Sequence, residues 1–294
     1  MTDPYTGELI AQADHGRAGR NLPAAITVGV LLIATAVATL WFWHLGFTIF
    51  MTALMILAVI EVSSALRRLG LNAALVPVLV GTVVIGVGPY VAATLSYSIL
   101  PAGTFLLSAL AITVVAAMVW RMFGGADAYV RDTAASLFLI GYLPLMGAFV
   151  PLMLADHNGV MRIATYVAVV VAGDTGGYIL GVLFGKHPMA PKISPKKSWE
   201  GLAGSFLLGI GVGIAASIWL LDAPWWVGLI LGAVLVTTGV FGDLVESLIK
   251  RDVGIKDMSS ILPGHGGIMD RLDSLLLTAP AAWLLMYLLV PGLS

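Results

Sequence analysis

Three stretches place carboxylates and basic side chains in otherwise apolar surroundings: AGDTGGYILG around Asp174, FGDLVESLIKR around Asp243, and PGHGGIMDRLD around Asp270. Ionisable groups in or beside an apolar span are costly unless they face a cavity, water or a partner. At 3.6 residues per turn, Asp243, Glu246, Ser247 and Lys250 share one helical face, with Arg251 close to it. An i,i+4 pair accounts for Glu246 and Lys250. It leaves Asp243, one turn deeper with no basic residue at i+3 or i+4, to serve as a metal or polar ligand. Four glycines within nine residues surround Asp174 and would let a helix or ligand approach the backbone; capping a broken helix or pairing with a lysine is the structural alternative. Asp270 and Asp273 can share the first turn of a following helix, where the dipole favours carboxylates, and Asp273 reads equally as an N-cap. Gly264, Gly266 and Gly267 flank His265, and glycine permits close approach of backbone N–H groups to phosphate oxygens. Glu61, near Arg67 and Arg68, reads as an interfacial carboxylate paired with those arginines.

Acidic groups at a membrane boundary, ringed by Lys and Arg, suit a hard divalent cation bound to a polyphosphate, since Mg²⁺ is commonly held by one or two carboxylates plus substrate phosphates. Transfers at phosphorus need positioning and charge neutralisation more than covalent help, so the lack of a Ser–His or Cys–His arrangement is no obstacle. A site at the membrane surface reaches both a water-soluble nucleotide and a lipid headgroup, which points to lipid activation.

The elements that must position these groups are membrane spans. Of 294 residues, 59% are hydrophobic and 11% charged, with a mean hydropathy of +0.99. Soluble domains carry about 25% charged residues, so an ordinary soluble protein is excluded. The net charge of -1 gives no overall field to attract nucleic acid, and the absence of cysteine excludes disulfides and thiolate chemistry. Crossing a bilayer takes roughly 20 apolar residues as a helix. Nine stretches qualify, at about 24–43, 46–66, 73–95, 99–120, 134–154, 163–184, 201–221, 225–249 and 273–290. The expected fold is therefore all-α, a polytopic integral membrane protein. With the N-terminus inside and the C-terminus outside, fourteen of the fifteen Lys and Arg residues fall on the inner side and only Arg162 on the outer, as the positive-inside rule requires. This divides the chain into a cytoplasmic segment 1–23, transmembrane helices over 24–155 acting as scaffold or interface, and a catalytic region 156–294 with cytoplasmic loops 185–200 and 250–272.

The stretch SLIKRDVGIKDMSSILPGHGGIMDRLD, residues 247–273, resembles the signature of phosphatidate cytidylyltransferases, the CDP-diacylglycerol synthases, at each fixed position, and GDTGGYILGVLFGKHPMAPKISPKKSWEG, residues 173–201, is similar to a second region of that family. The N-terminal half resembles the family only in hydropathy. The resemblance implies conversion of CTP and phosphatidate to CDP-diacylglycerol and pyrophosphate with Mg²⁺, a second cation being left open, in a homodimer embedded in membrane lipids, of the bacterial inner membrane, with its site facing the cytoplasm. It implies Asp243 and Asp270 as metal ligands, with Asp174 and Asp273 as further members of the polar site. Lys250, Arg251, Lys256 and Arg271 would contact phosphates, with Ser247 beside them, and His265, Gly266 and Gly267 would shape the nucleotide loop. Lys196, Lys197 and Ser198 would hold the triphosphate or the lipid phosphate. Two rival readings use the same residues: another CTP-dependent membrane enzyme, such as a polyprenol or phytol kinase or a CDP-archaeol synthase, and an ion-coupled transporter binding at Asp174 on a glycine-broken helix.

Overall fold

The computed structural model describes residues 22–95, 99–259, 261 and 266–290, with side chains from Ile26 onward. His265, the segment 1–21 and its Arg17 and Arg20 lie outside the described residues. The apolar runs fold as helices, because helix formation satisfies every backbone polar group inside one segment when lipid offers no partner. In chain order they are α1 (Leu22–Phe42), α2 (His44–Arg68), α3 (Leu75–Thr94) and α4 (Ala102–Met122). The next span, Tyr129–Leu154, is built from α5 (Tyr129–Tyr142), α6 (Pro144–Gly147) and α7 (Phe149–Leu154). Then come α8 (Gly159–Phe184), a hairpin of β1 (Pro188–Ala190) and β2 (Ser194–Ser198), α9 (Trp199–Trp219), α10 (Trp225–Val253) and α11 (Met269–Leu289). Eight of these segments are long and apolar enough to cross a membrane, and α1 supplies a further apolar helix, so the protein is an all-α polytopic membrane protein.

Three boundaries depart from the sequence reading for identifiable reasons. The fifth span is broken at Leu143, whose φ of -104° and ψ of -78° precede Pro144; a proline disfavours helical geometry in the residue before it and supplies no N–H. Helix α10 continues through Lys250 and Arg251 to Val253 and stops at Gly254, whose φ of +74° is the left-handed conformation that ends helices. Helix α11 begins at Met269, so Asp273 stands in its second turn and is not an N-cap. What the sequence suggested as one loop, 250–272, is thus a shorter connection between two helix ends.

The bundle turns an apolar surface outward, as lipid tails require: Ile33, Leu107, Ile112, Val182 and Leu207 are all exposed. Trp41, Trp43, Trp219, Trp225 and Trp226 gather at helix ends on one membrane face, the position that amphipathic rings favour. By alternation of the spans, the connections α2–α3, α4–α5, α8–α9 and α10–α11 lie together on the opposite face, which carries the described basic residues except Arg162. That arginine, 1% exposed, donates to the carbonyls of His157 at 2.8 Å and Met286 at 3.0 Å, tying α8 to the far end of α11. Helices α8, α9 and α10 pack through small residues, with the backbones of Gly176 and Gly204 and of Gly213 and Gly228 in direct apposition. Helix α8 runs without interruption through Asp174, so the glycine-broken helix required by the transporter reading is absent there.

Candidate active site

A cavity of about 370 Å³ opens among α8, β2, α9, α10 and α11. Its polar wall carries Asp174 from α8, Lys196, Lys197 and Ser198 from β2, Asp243 from α10, and Asp273 from α11. Tyr178, Met189 and Leu202 form an apolar part of the lining. Each side chain is placed by a local device. Ser198 caps α9, its hydroxyl accepting the N–H of Gly201 at 3.1 Å. The hairpin brings Lys197 against α10 at Val240 and Asp243, where its Nζ pairs with Asp243 Oδ2 at 2.7 Å. The Ser247 hydroxyl donates to Asp243 Oδ1 at 3.2 Å. At Gly242 the backbones of α10 and α11 meet, and a Cβ there would stand 2.5 Å from the carbonyl oxygen of Asp273, which sets Asp243 beside Asp273.

Next to this cavity lies a second polar cluster. Lys250 Nζ is paired with both Glu246, which is fully buried, and Asp270 Oδ1, the latter at 2.9 Å. Asp270 Oδ2 accepts the backbone N–H groups of Met258 at 3.0 Å and Gly267 at 2.8 Å. Of the two aspartates that the resemblance implies as metal ligands, Asp243 lines the cavity with Asp174 and Asp273, whereas Asp270 is paired with Lys250 and is not part of the cavity lining. Of the other sequence-selected residues, Arg251 is exposed and its Nε reaches the carbonyl of Ile193 at 3.4 Å, linking α10 to the hairpin. Lys256 and Arg271 are exposed on the same face. Gly266 adopts a φ of +84°, a conformation glycine reaches without strain.

Glu61 corrects the sequence reading most sharply. It is buried, and its hydrogen-bond partners are Ser259, Ile268 and Met269, not Arg67 or Arg68. The only sign of this in the sequence is a carboxylate inside an apolar run. Ser205 and Ser274, which also line the cavity, carried no signal at all.

The fold and this site define an integral membrane protein with a polar, carboxylate-rich cavity at the end of its spans. Residues 23–289 match the cytidylyltransferase family, and the chain belongs to that family. It is 39% identical over 318 residues to the phosphatidate cytidylyltransferase of Mycobacterium leprae, across 98% of this chain and 99% of that protein. Identity to the phosphatidate cytidylyltransferase of Mycobacterium bovis is 40%, across 94% of this chain and 92% of that protein. A Synechocystis phosphatidate cytidylyltransferase is 37% identical across 52% of this chain and 53% of its own length.

Proposed function

We propose that the protein transfers the cytidylyl group of CTP to phosphatidate, giving CDP-diacylglycerol and pyrophosphate. The observation that carries this reading is the cavity itself. One wall bears lysines and carboxylates suited to phosphates, and the rest is apolar enough to receive the glycerol end of a lipid. Near-full-length similarity to the mycobacterial phosphatidate cytidylyltransferases supports the choice of substrates. The excess of basic residues on the cavity's face argues that this face is cytoplasmic, and the bacterial relatives favour the inner membrane.

The chemistry needs a phosphatidate oxygen to attack the α-phosphorus of CTP as the bond to pyrophosphate breaks. That oxygen is already anionic, so no general base is required. Lys196 and Lys197 neutralise phosphate charge within the cavity, and the same role is assigned to Lys250, Arg251, Lys256 and Arg271 on the same membrane face. An incoming phosphate competes with Asp243 for Lys197, freeing the carboxylate. The donor set fits Mg²⁺, being all oxygen: Asp243, Asp174 and Asp273 line one cavity. No group of three or more His, Asp or Glu stands arranged to hold a metal ion among the described residues, so the ion would take most of its shell from water and substrate phosphates. Asp270 accepts Lys250 on Oδ1 and two backbone N–H groups on Oδ2, which leaves Oδ1 the lone-pair site it would offer to such a shell. When bound, the ion stabilises charge on the departing pyrophosphate.

The test is pyrophosphate release by the full chain in detergent micelles, with CTP, phosphatidate and Mg²⁺ each omitted in turn. The expected result is release that needs all three, with CDP-diacylglycerol as the lipid product. A lipid kinase would release CDP in place of pyrophosphate, and that outcome would refute the reading.

A further inference from the structure

Helix α2, in the half of the chain remote from the signature, reaches the start of α11 through one carboxylate. Glu61 is 2% exposed. Its Oε1 accepts the Ser259 hydroxyl at 2.6 Å and the N–H of Ile268 at 2.9 Å, and its Oε2 accepts the N–H of Met269 at 2.9 Å. The first N–H groups of a helix have no partner within it, and the dipole there favours an anion. Asp270 supplies the matching grip, its Oδ2 gathering the N–H groups of Met258 and Gly267. Both sides of the α10–α11 connection are thus drawn onto two carboxylates, Met258 and Ser259 from one side, Gly267 to Met269 from the other. Gly267 is part of the fit: a Cβ there would stand 2.8 Å from Glu61 Oε2 and 3.1 Å from Asp270 Oδ2.

We infer that Glu61 is a positioning residue, fixing the start of α11 so that Asp270 meets Lys250 and Asp273, one turn further on, reaches the cavity. Glu61 touches no substrate in this arrangement; it acts through the backbone it holds. The inference rests on the cytidylyltransfer reading above, and its test separates the two. Full-length Glu61→Gln keeps the shape but loses the charge and one acceptor, and Ser259→Ala removes only the hydroxyl arm. Hydrogen exchange without substrates is followed over peptides spanning 257–270, alongside KM for CTP, KM for phosphatidate, and kcat per folded molecule.

For Glu61→Gln the expected result is exchange at least tenfold faster in that segment with the remaining spans unchanged. KM for CTP rises at least tenfold while KM for phosphatidate stays within twofold. Ser259→Ala gives the same pattern at about threefold. Wild-type exchange and wild-type KM in Glu61→Gln overturn the inference, as does a loss of folded yield with normal constants in the surviving protein. If Glu61→Gln does not fold, Ser259→Ala decides: unchanged exchange and unchanged KM in that variant overturn it. If the wild type makes no CDP-diacylglycerol, the activity reading falls by itself, and exchange, which needs no substrate, still decides whether Glu61 holds the segment.

Discussion

Replacing Lys250 by methionine tests whether the second polar cluster is a charge-balanced unit. The ammonium is 16% exposed, against 0% for Glu246 and 9% for Asp270. At 2.9 Å from Asp270 and an effective dielectric of about 20, the attraction of one such pair is about 6 kcal/mol. Desolvation offsets most of it in the native protein. In Lys250→Met, however, both carboxylates stay buried while their counter-charge is gone, and removal of one partner from a buried pair costs about 3–5 kcal/mol. Adding Glu246→Gln removes one orphaned charge, and Asp270 keeps the two backbone donors that support the other. The double variant should therefore recover at least half of the loss. Unfolding of the full chain by denaturant in detergent, followed by intrinsic fluorescence, measures the stability, and pyrophosphate release measures the chemistry. Stability should return in the double variant and turnover should not, because the ammonium proposed to neutralise phosphate charge is still missing. A loss below about 1 kcal/mol in Lys250→Met, or no recovery on adding Glu246→Gln, would refute the charge-balance argument.

Asp243→Asn should leave the bundle folded and lower turnover about a hundredfold, the equivalent of about 3 kcal/mol of transition-state stabilisation; turnover within threefold of wild type at saturating Mg²⁺ would remove Asp243 from the site. Asp132 is not among the residues lining the cavity but is buried, accepting Arg121 Nε at 2.9 Å and the N–H of Asn72 at 2.9 Å. Asp132→Asn should cost about 3 kcal/mol of stability with turnover per folded molecule unchanged, as denaturant unfolding and an assay on the same preparation would show. Chelation with EDTA should abolish pyrophosphate release and added Mg²⁺ restore it, whereas activity surviving EDTA would exclude the carboxylates as a metal site.

Much of the architecture was legible because hydropathy and helix length measure the same constraint: a chain in lipid must satisfy its own backbone. Every expected span corresponds to a helical segment. The ends were less legible, because helical hydrogen bonding continues past the point where apolar side chains stop. Lys250 and Arg251 look like loop residues by charge, yet they occupy the last full turn of α10. The site was legible residue by residue but not as a constellation. Asp174, Asp243 and Asp273 were selected from local chemistry and Lys197 through the family resemblance, and the cavity unites them. The resemblance implies Asp243 and Asp270 as ligands of one metal, but local sequence does not encode that Asp243 meets Lys197 while Asp270 meets Lys250. Glu61 was misread for the same reason: its partners stand 198 to 208 positions away, and no local pattern encodes a contact of that range.

That long-range contact changes how the two halves of the chain relate. The sequence suggests a scaffold before residue 155 and chemistry after it. In the structure, one apolar core joins Met55, Ala58, Val59 and Val62 of α2 to Met258, Ile268, Met269 and Leu272 around the signature. A second joins Phe47 and Val150 to Ala279, Ala282 and Met286 of α11. The signature segment is therefore not a free loop supported only by the helices on either side of it. Met258, Ile268, Met269 and Leu272 are buried in one core with α2, and the N–H groups of Ile268 and Met269 end on the α2 carboxylate. A buried carboxylate is costly unless its oxygens are satisfied, so Glu61 holds its position only while Ser259, Ile268 and Met269 are in theirs. The dependence is mutual: α2 orders the signature, and the signature is what makes a carboxylate tolerable in α2.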